Sequence, residues 1–504
     1  MNTFALTRKR SNIKVLALLA STSALSMILL DSATFPLALP TIQSVLNLTS
    51  FQVQWLLNAY FLTTAALVIV GGKVADIIGY RKAFVFGLAM FALSNVAVGV
   101  STSYLPMIIC RIIQGMGAAL IGPIGFAILI ETFAPKERGR AIGISAGIGS
   151  VFLTLGPLVA GFLVEFVDWR KLFFLFLPIA TVGIILTYIS VKEPKRKNEQ
   201  IDFISLIMII LGIFFIVFSL MQSRVWGLNS AHFYTGLAIG LFFILLLILR
   251  NKGRENAFID FSIFRNRHFR IGVLVSLLTW MVMVNPIFWS IFLQKGLFYS
   301  PVETATYLII STLPVLFTAP ASGLMADKKG AQLPIYLGLF FVLISVFLMM
   351  LFSLFHTIFF LICALFTFGI GTSLIFTPVG NIALAKIPAA QRGLASGIYN
   401  TMRFLGSAFG VVILGYISFH SREETFSRLI AQSPQIQDIT FKQAHKIVHY
   451  LPDTIDPLLL SSYKNLVTTS SFAAFSAVNI CTGFIVIIAL LLTLVYLKDY
   501  REGN

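Results

Sequence analysis

Charge is scarce along this chain: 37 Lys and Arg and 20 Asp and Glu make up 11% of 504 residues, where a soluble protein carries about 25%. That deficit excludes an ordinary soluble globular fold. Cysteine is scarcer still. Cys110, Cys363 and Cys481 each sit inside an apolar run at no metal-ligand spacing, and an odd count argues against a disulfide framework, so they read as small apolar packers. The six histidines fall in loops or near the ends of apolar runs. None forms an H-E-x-x-H arrangement, no Ser/His/Asp spacing is legible, and no G-x-x-x-x-G-K-[ST] loop is present. Hydrolytic, metal-dependent and nucleotide-driven chemistry therefore have no visible foothold.

What is present is apolar. Hydrophobic residues make up 58% of the chain, and a membrane helix needs roughly 20 of them in a row. Fourteen runs qualify, near 15–40, 52–71, 83–103, 105–130, 141–163, 171–191, 203–221, 233–249, 271–294, 304–325, 333–354, 356–380, 393–417 and 476–497. The expected class is an all-α polytopic membrane protein. The N-terminal RKRSNIK followed by VLALLASTSALSMILL imitates a secretory signal, but the apolar run continues to about Pro40, which favours an uncleaved first span.

An even number of spans places both ends on one side, and basic loops choose the cytoplasmic one. With the N-terminus inside, the inner segments hold 26 Lys and Arg and the outer ones 9, five of which lie in the long loop 418–475, where the rule carries little weight. The net charge of +17 is therefore a topology signal for the cytoplasmic (inner) membrane, not the mark of a nucleic-acid partner.

An internal repeat sets the organisation. Gly72–Gly79 and Gly323–Gly330 both read G-x-x-A-D-x-x-G; Gly115, Gly117, Leu120, Ile121, Pro123 and Gly125 recur as Gly369, Gly371, Leu374, Ile375, Pro378 and Gly380; Arg138-Gly139-x-Ala141-x-Gly143 recurs as Arg392-Gly393-x-Ala395-x-Gly397. The pairing predicts two six-helix halves, 15–191 and 271–497, flanking an inserted helix pair over 203–249, with short ends 1–14 and 498–504 in the cytoplasm. A parallel repeat of this kind binds substrate near the midplane between its halves.

These residues resemble a known family. GGKVADIIGYRK is similar to the loop signature of the major facilitator superfamily. Leu30-Asp31-x-x-Thr34 with Ala38-Leu39-Pro40, Gln54-Trp55 with Tyr60-Phe61-Leu62, Arg111-x-x-Gln114-Gly115-x-Gly117, and Gly143 with Gly156-Pro157-x-x-Ala160-Gly161 resemble its fourteen-span drug:proton antiporter branch, the EmrB/QacA type. Ile77, Tyr80 and Phe152 depart from the usual pattern.

Asp31 is the one acid well inside an expected span, and an intramembrane ionisable group is a functional candidate by default. Burial penalises a charged carboxylate and a nearby cation favours it, so one salt bridge can balance the two. The resemblance makes Arg111 that cation, because it implies that spans one and four line the same half-cavity. Asp31 is then the proton carrier, or the pair is a structural bridge. Gln114, one helical turn from Arg111, is placed to meet substrate. Asn400 and Arg403 share a face of span thirteen; Arg403 lines the cavity or pairs with carbonyls in the core. Trp55, Tyr60, Trp280 and Trp289 are aromatic cavity candidates. No acid lies clearly within spans nine to fourteen, which favours neutral, monocationic or anionic lipophilic substrates.

The resemblance also implies a gating role for Gly72, Asp76, Gly79, Arg81 and Lys82, and for Asp327 beside Lys328 and Lys329; a solvated basic loop is the plainer alternative. Gly143, Gly156, Pro157 and Gly161 form the antiporter motif, suited to close packing and a bend. The function implied is proton-coupled efflux of small amphipathic molecules, with transport of a specific metabolite or siderophore by the same fold as the alternative and no enzymatic step. It needs no cofactor beyond the proton gradient. Its partners are substrate, proton and lipid, and the chain is expected to be a monomer. The loop 418–475 caps the cavity, meets a periplasmic adaptor or is a plain linker.

Overall fold

The computed structural model describes residues 2–191, 202–227, 229–252, 261–385, 387, 392–432, 440, 443–444 and 457–496, and is helical wherever it is regular. Among the described residues fourteen helices are long and apolar enough to cross a membrane. The first six are Ile13–Val45, Ser50–Ile69, Tyr80–Val100, Tyr104–Thr132, Ala141–Val167 and Trp169–Ser190. Phe203–Ser223 and Ala231–Asn251 follow as spans 7 and 8, and spans 9 to 14 are Arg267–Gly296, Pro301–Ala326, Gln332–Phe355, Ile358–Leu384, Ala395–Ala431 and Leu459–Val495. Large apolar side chains such as Phe86, Leu93, Ile185, Phe242, Phe347 and Phe484 are exposed on the outer faces of these helices, as lipid-facing surface requires.

The two halves share close approaches at matching glycines of spans 4 and 12. In span 4 a side chain at Gly115 would strike the Tyr60 carbonyl of span 2, and one at Gly117 would strike Phe91 and Gly87 of span 3. In span 12 the matching Gly369 meets the Ser311 carbonyl of span 10, and Gly371 meets Val342 and Gly338 of span 11. Span 2 opens on a capping box, Thr49 with Gln52, and span 10 on another, Ser300 with Glu303; each satisfies donors left free at a helix start. Gly79 and Gly330 close helices with φ of 98° and 83°, a backbone that side-chain-bearing residues resist.

Let the near face be the one from which span 1 starts, and the far face the opposite. The hydrogen bonds joining the halves gather toward the far face. Ser290 Oγ donates to the Pro36 carbonyl (3.1 Å), Gln294 Nε2 to the Leu37 carbonyl (3.0 Å) and Lys295 Nζ to Gln43 Oε1 (2.6 Å), tying span 9 to span 1. The Val302 amide donates to Glu165 (2.8 Å), and Gly161 lies against Pro301 and Ala305, tying span 5 to span 10. A side chain at Gly143, Gly147 or Gly323, toward the near face, would meet nothing within 4 Å. Span 9 is thus seated on span 1, and span 10 on span 5, toward the far side.

Spans 7 and 8 pack on each other, and span 7 lies against spans 2 and 13, as its Phe218 contacts Trp55 of span 2 at 5.9 Å. Asp202 caps span 7 by accepting from the Ser205 amide, and it pairs with Arg250 of span 8 at 3.1 Å. Burial pushes the Asp202 carboxyl up, but hydrogen bonds from Arg250 and Ser205 and the Arg250 charge outweigh it and hold the group at about 2.

Two boundaries differ from expectation. The helix of span 13 does not stop near 417 but runs to Ala431, and that of span 14 starts at Pro457 rather than 476. The stretch taken as one long loop is therefore largely helical at both ends. Phe426 from one extension packs with Leu466 and Val467 from the other, an apolar seam that a window tuned to lipid-length runs does not register. Span 9 is broken after Val282 and resumes at Asn285, where Pro286 lacks the amide needed to continue the ladder. Asn285 bridges the break by donating to the Val282 carbonyl and to Thr482 of span 14.

Candidate functional site

Span 4 places Arg111 and Gln114 one turn apart, and both side chains turn toward span 1. Arg111 Nη1 donates to both carboxylate oxygens of Asp31 at 3.1 Å and to Gln114 Oε1 at 2.6 Å, while Gln114 Nε2 donates to Asp31 Oδ1 at 2.9 Å. Arg111 Nε donates to the Leu56 carbonyl of span 2 at 3.0 Å. Asp31 is 2% exposed and Arg111 1%, so the pair is sealed rather than solvated. Removing one member of such a pair costs about 3–5 kcal/mol, because the other charge is stranded.

This cage has a second layer of support. The Arg111 guanidinium lies over the Phe35 ring at 3.9 Å and the Tyr60 ring at 4.8 Å. With the Leu56 carbonyl and Gln114, those rings are neutral partners that would still hold the cation if Asp31 took a proton. The Tyr60 hydroxyl is buried without a hydrogen-bond partner, an open polar position beside the carboxylate. Gly156 of span 5 seats that helix on span 1 two residues from Asp31, since its added carbon would fall 2.7 Å from Ala33 Cβ.

The second half carries a different arrangement. Arg403 of span 13 lies over Trp280 of span 9 at 4.2 Å, Phe376 of span 12 at 4.8 Å and Tyr399 at 5.9 Å. Its Nη1 donates to Asn400 Oδ1 at 3.0 Å and its Nε has no partner. Among the described residues no carboxylate pairs with it. Ring contacts of this kind contribute about 0.5–2 kcal/mol, against about 2.5–3.5 kcal/mol for placing a cation at mid-membrane. Asp31 and Arg111 have their counter-charges; among the described residues Arg403 has none.

Other expected residues fall elsewhere. Trp55 packs on Phe51 and Phe218, at the seam with the inserted pair rather than over a cavity, because that pair covers the outer side of span 2. Trp289 is buried edge-on to Phe368 at 4.7 Å, filling the second half where the first keeps Arg111 and Gln114. Arg81 lies over the Tyr188 ring at 5.7 Å, and Lys82 is exposed. Gly72 and the side chains of Asp76 and Asp327, expected in gating, lie outside the described residues. Within the antiporter motif, Gly156 and Gly161 make close approaches, Pro157 sits inside the span 5 helix, and Gly143 faces open space, contrary to the packing role expected of it. A separate cavity of about 280 Å³ opens between the halves at the far face, beside Gln43, Gln54, Lys295 and Arg422.

Phe35, Leu56, Phe376 and Tyr399 complete the two cation sites but carried no sequence signal. Apolar and aromatic residues abound in every span, and a backbone carbonyl leaves no letter. The hint available in retrospect is negative: a buried arginine with too few partners implies aromatic faces nearby.

Residues 21–411 match the family model described as Major Facilitator Superfamily. Over 407 residues the chain is 27% identical to the Multidrug resistance protein Stp of Mycobacterium tuberculosis, covering 80% of this chain and 76% of that protein. Over 421 residues it is 25% identical to the Riboflavin transporter RibZ of Clostridioides difficile, covering 83% and 91% respectively. Among solved structures, a bacterial homolog of the human lysosomal transporter Spinster, in an inward-facing and unoccupied conformation, superposes with a TM-score of 0.66 at 16% identity, covering 98% of this chain and 99% of that one. At that identity the likeness concerns the fold alone.

Proposed function

We propose, from the premise that this chain belongs to the Major Facilitator Superfamily, that it is a proton-coupled antiporter exporting small amphipathic compounds from the cytoplasm by alternating access. The observation that carries the reading is the sealed cage of Asp31, Arg111 and Gln114. An ion pair this deep is costly unless it has work beyond packing, and here the cation keeps neutral partners for the moment when the carboxylate is protonated. In this scheme a proton arriving at Asp31 releases Gln114 and loosens span 1 from span 4. Span 1 also carries the far-face seam with span 9, so the proton state of Asp31 bears on which side is open.

The near face, with its basic loops, is assigned to the cytoplasm, and the seam of span 9 on span 1 then lies toward the outer side. One proton crossing about 150 mV supplies roughly 3.5 kcal/mol, enough to hold a neutral compound at a few-hundredfold gradient. The relative named as a multidrug resistance protein supports export. The relative named as a riboflavin transporter supports a second reading, movement of one specific metabolite. Reconstitution into proteoliposomes separates them: an imposed pH gradient drives accumulation of several unrelated amphipathic dyes under the first reading and of one metabolite alone under the second. Accumulation indifferent to the pH gradient overturns proton coupling.

A further inference from the structure

The two intramembrane arginines are treated oppositely by their surroundings. Arg111 is gripped by a carboxylate, an amide and a carbonyl. Arg403 meets three aromatic faces and one amide oxygen, and the edge of its guanidinium that carries Nε has no partner. A guanidinium offers five donors in a rigid fork, and a fork with one tine used and a free Nε edge matches a planar or tetrahedral oxyanion. The residue as a whole is half-buried while Nε itself is sealed, so a solute engages that edge only as the flanking rings give way. The walls that flank it come from spans 9, 12 and 13, which the repeat places in the second half, facing the first.

We propose that Arg403 is an anion-docking group, and that the substrates of this transporter include amphipathic aromatic acids whose carboxylate or sulfonate engages the free edge of Arg403 while their rings lie against Trp280, Phe376 and Tyr399. This rests on the transport reading above and narrows it. The absence of any carboxylate paired to Arg403 among the described residues leaves a counter-charge to be brought by the solute. Asn400 holds the guanidinium over Trp280 and is itself anchored by donating to the Ser396 carbonyl at 3.0 Å. The cation is thus pre-set before a ligand arrives, which limits the ordering cost of binding. A bulky cationic drug is disfavoured at this place by like charge.

The test is calorimetric titration of the full chain in lipid nanodiscs with three probes of one shape: naphthalene-2-sulfonate, naphthalene-2-methanol and 2-naphthylmethylammonium. The expected order is sulfonate tightest, by about tenfold or more over the alcohol, with the ammonium weakest. Arg403→Gln brings the sulfonate down to the affinity of the alcohol, and Arg403→Lys, which keeps charge but not the fork, lies between. Equal affinity for sulfonate and alcohol in the unaltered protein, no sulfonate binding at millimolar concentration, or tight sulfonate binding by Arg403→Gln each overturns the proposal. The unaltered protein decides the matter even if the variants fail to fold. Sulfonate preference without pH-driven transport would leave this site standing and sink the antiport reading, whereas Asp31-dependent transport of neutral dyes without that preference would do the reverse.

Discussion

Asn47 and Phe298, 251 residues apart, hold the same left-handed backbone, with φ of 53° and 58°. Each ends the first helix of a half and delivers the chain to a capping box, at Thr49 and at Ser300. Asn adopts this conformation readily and Phe rarely does. The turn at 298 is therefore imposed by the helices on either side, and the far-face hairpin is a shared part of both halves even where the residues differ.

The positive φ of Gly330 makes a clean test of backbone cost. A side chain there would meet nothing within 4 Å, so Gly330→Ala has only the conformational penalty to express, about 1–3 kcal/mol. Thermal unfolding of the purified protein should fall accordingly. No change in melting temperature would mean that the turn relaxes.

Asp31→Asn keeps shape and hydrogen-bonding capacity but cannot cycle a proton. A few-hundredfold pH-driven accumulation in proteoliposomes should collapse toward unity, while exchange of labelled for unlabelled substrate at equal pH continues. Full pH-driven accumulation by this variant would remove Asp31 from the coupling scheme. Arg111→Ala should instead lose about 3 kcal/mol of stability, read as loss of folded protein after mild heating.

Gly161 and Gly143 belong to one motif but should answer differently. Gly161→Ala drives a carbon to 2.9 Å from the Pro301 carbonyl and 2.7 Å from Ala305 Cβ, so it should prise open the far-face seam and raise labelling of a cysteine placed at Gln43 several-fold. Gly143→Ala meets open space and should leave that labelling unchanged. Equal labelling of both variants would show that the seam does not depend on the approach at Gly161.

The Asp202–Arg250 pair gives a pH dependence of defined sign. The folded carboxyl titrates at about 2, below its ordinary 3.8, so its contribution is fully present above about pH 3.8 and is lost as pH falls through 2. The partners are about a quarter exposed, which holds the pair to about 1 kcal/mol or less. Asp202→Asn, which retains a helix cap, should melt lower than the unaltered protein at pH 7 and match it near pH 2. Curves that stay parallel down to pH 2 would show that the pair contributes nothing to folding.

Much of this was legible beforehand. The fourteen spans follow from run length alone, and Arg111 with Gln114 follow from their spacing on one helix turn. Asp31 stood out because nothing else acidic lay so deep. Their meeting across 80 residues was supplied by resemblance, not by pattern. Trp55 was misplaced because the inserted pair occupies the side of span 2 that it faces, and no local spacing reports which neighbour covers a helix. The aromatic setting of Arg403 was hidden for the opposite reason: with 48 phenylalanines, no single ring is conspicuous.

The helices of spans 13 and 14 have a practical consequence. Ala395–Ala431 and Leu459–Val495 are 37 residues each, about 55 Å of rod at 1.5 Å per residue, against a hydrocarbon slab of about 30 Å. Even strongly tilted, the two rods project beyond the lipid, and the Phe426, Leu466 and Val467 seam keeps them together. A small transporter buried in a micelle offers little to orient it in an electron micrograph. This one carries its own mast.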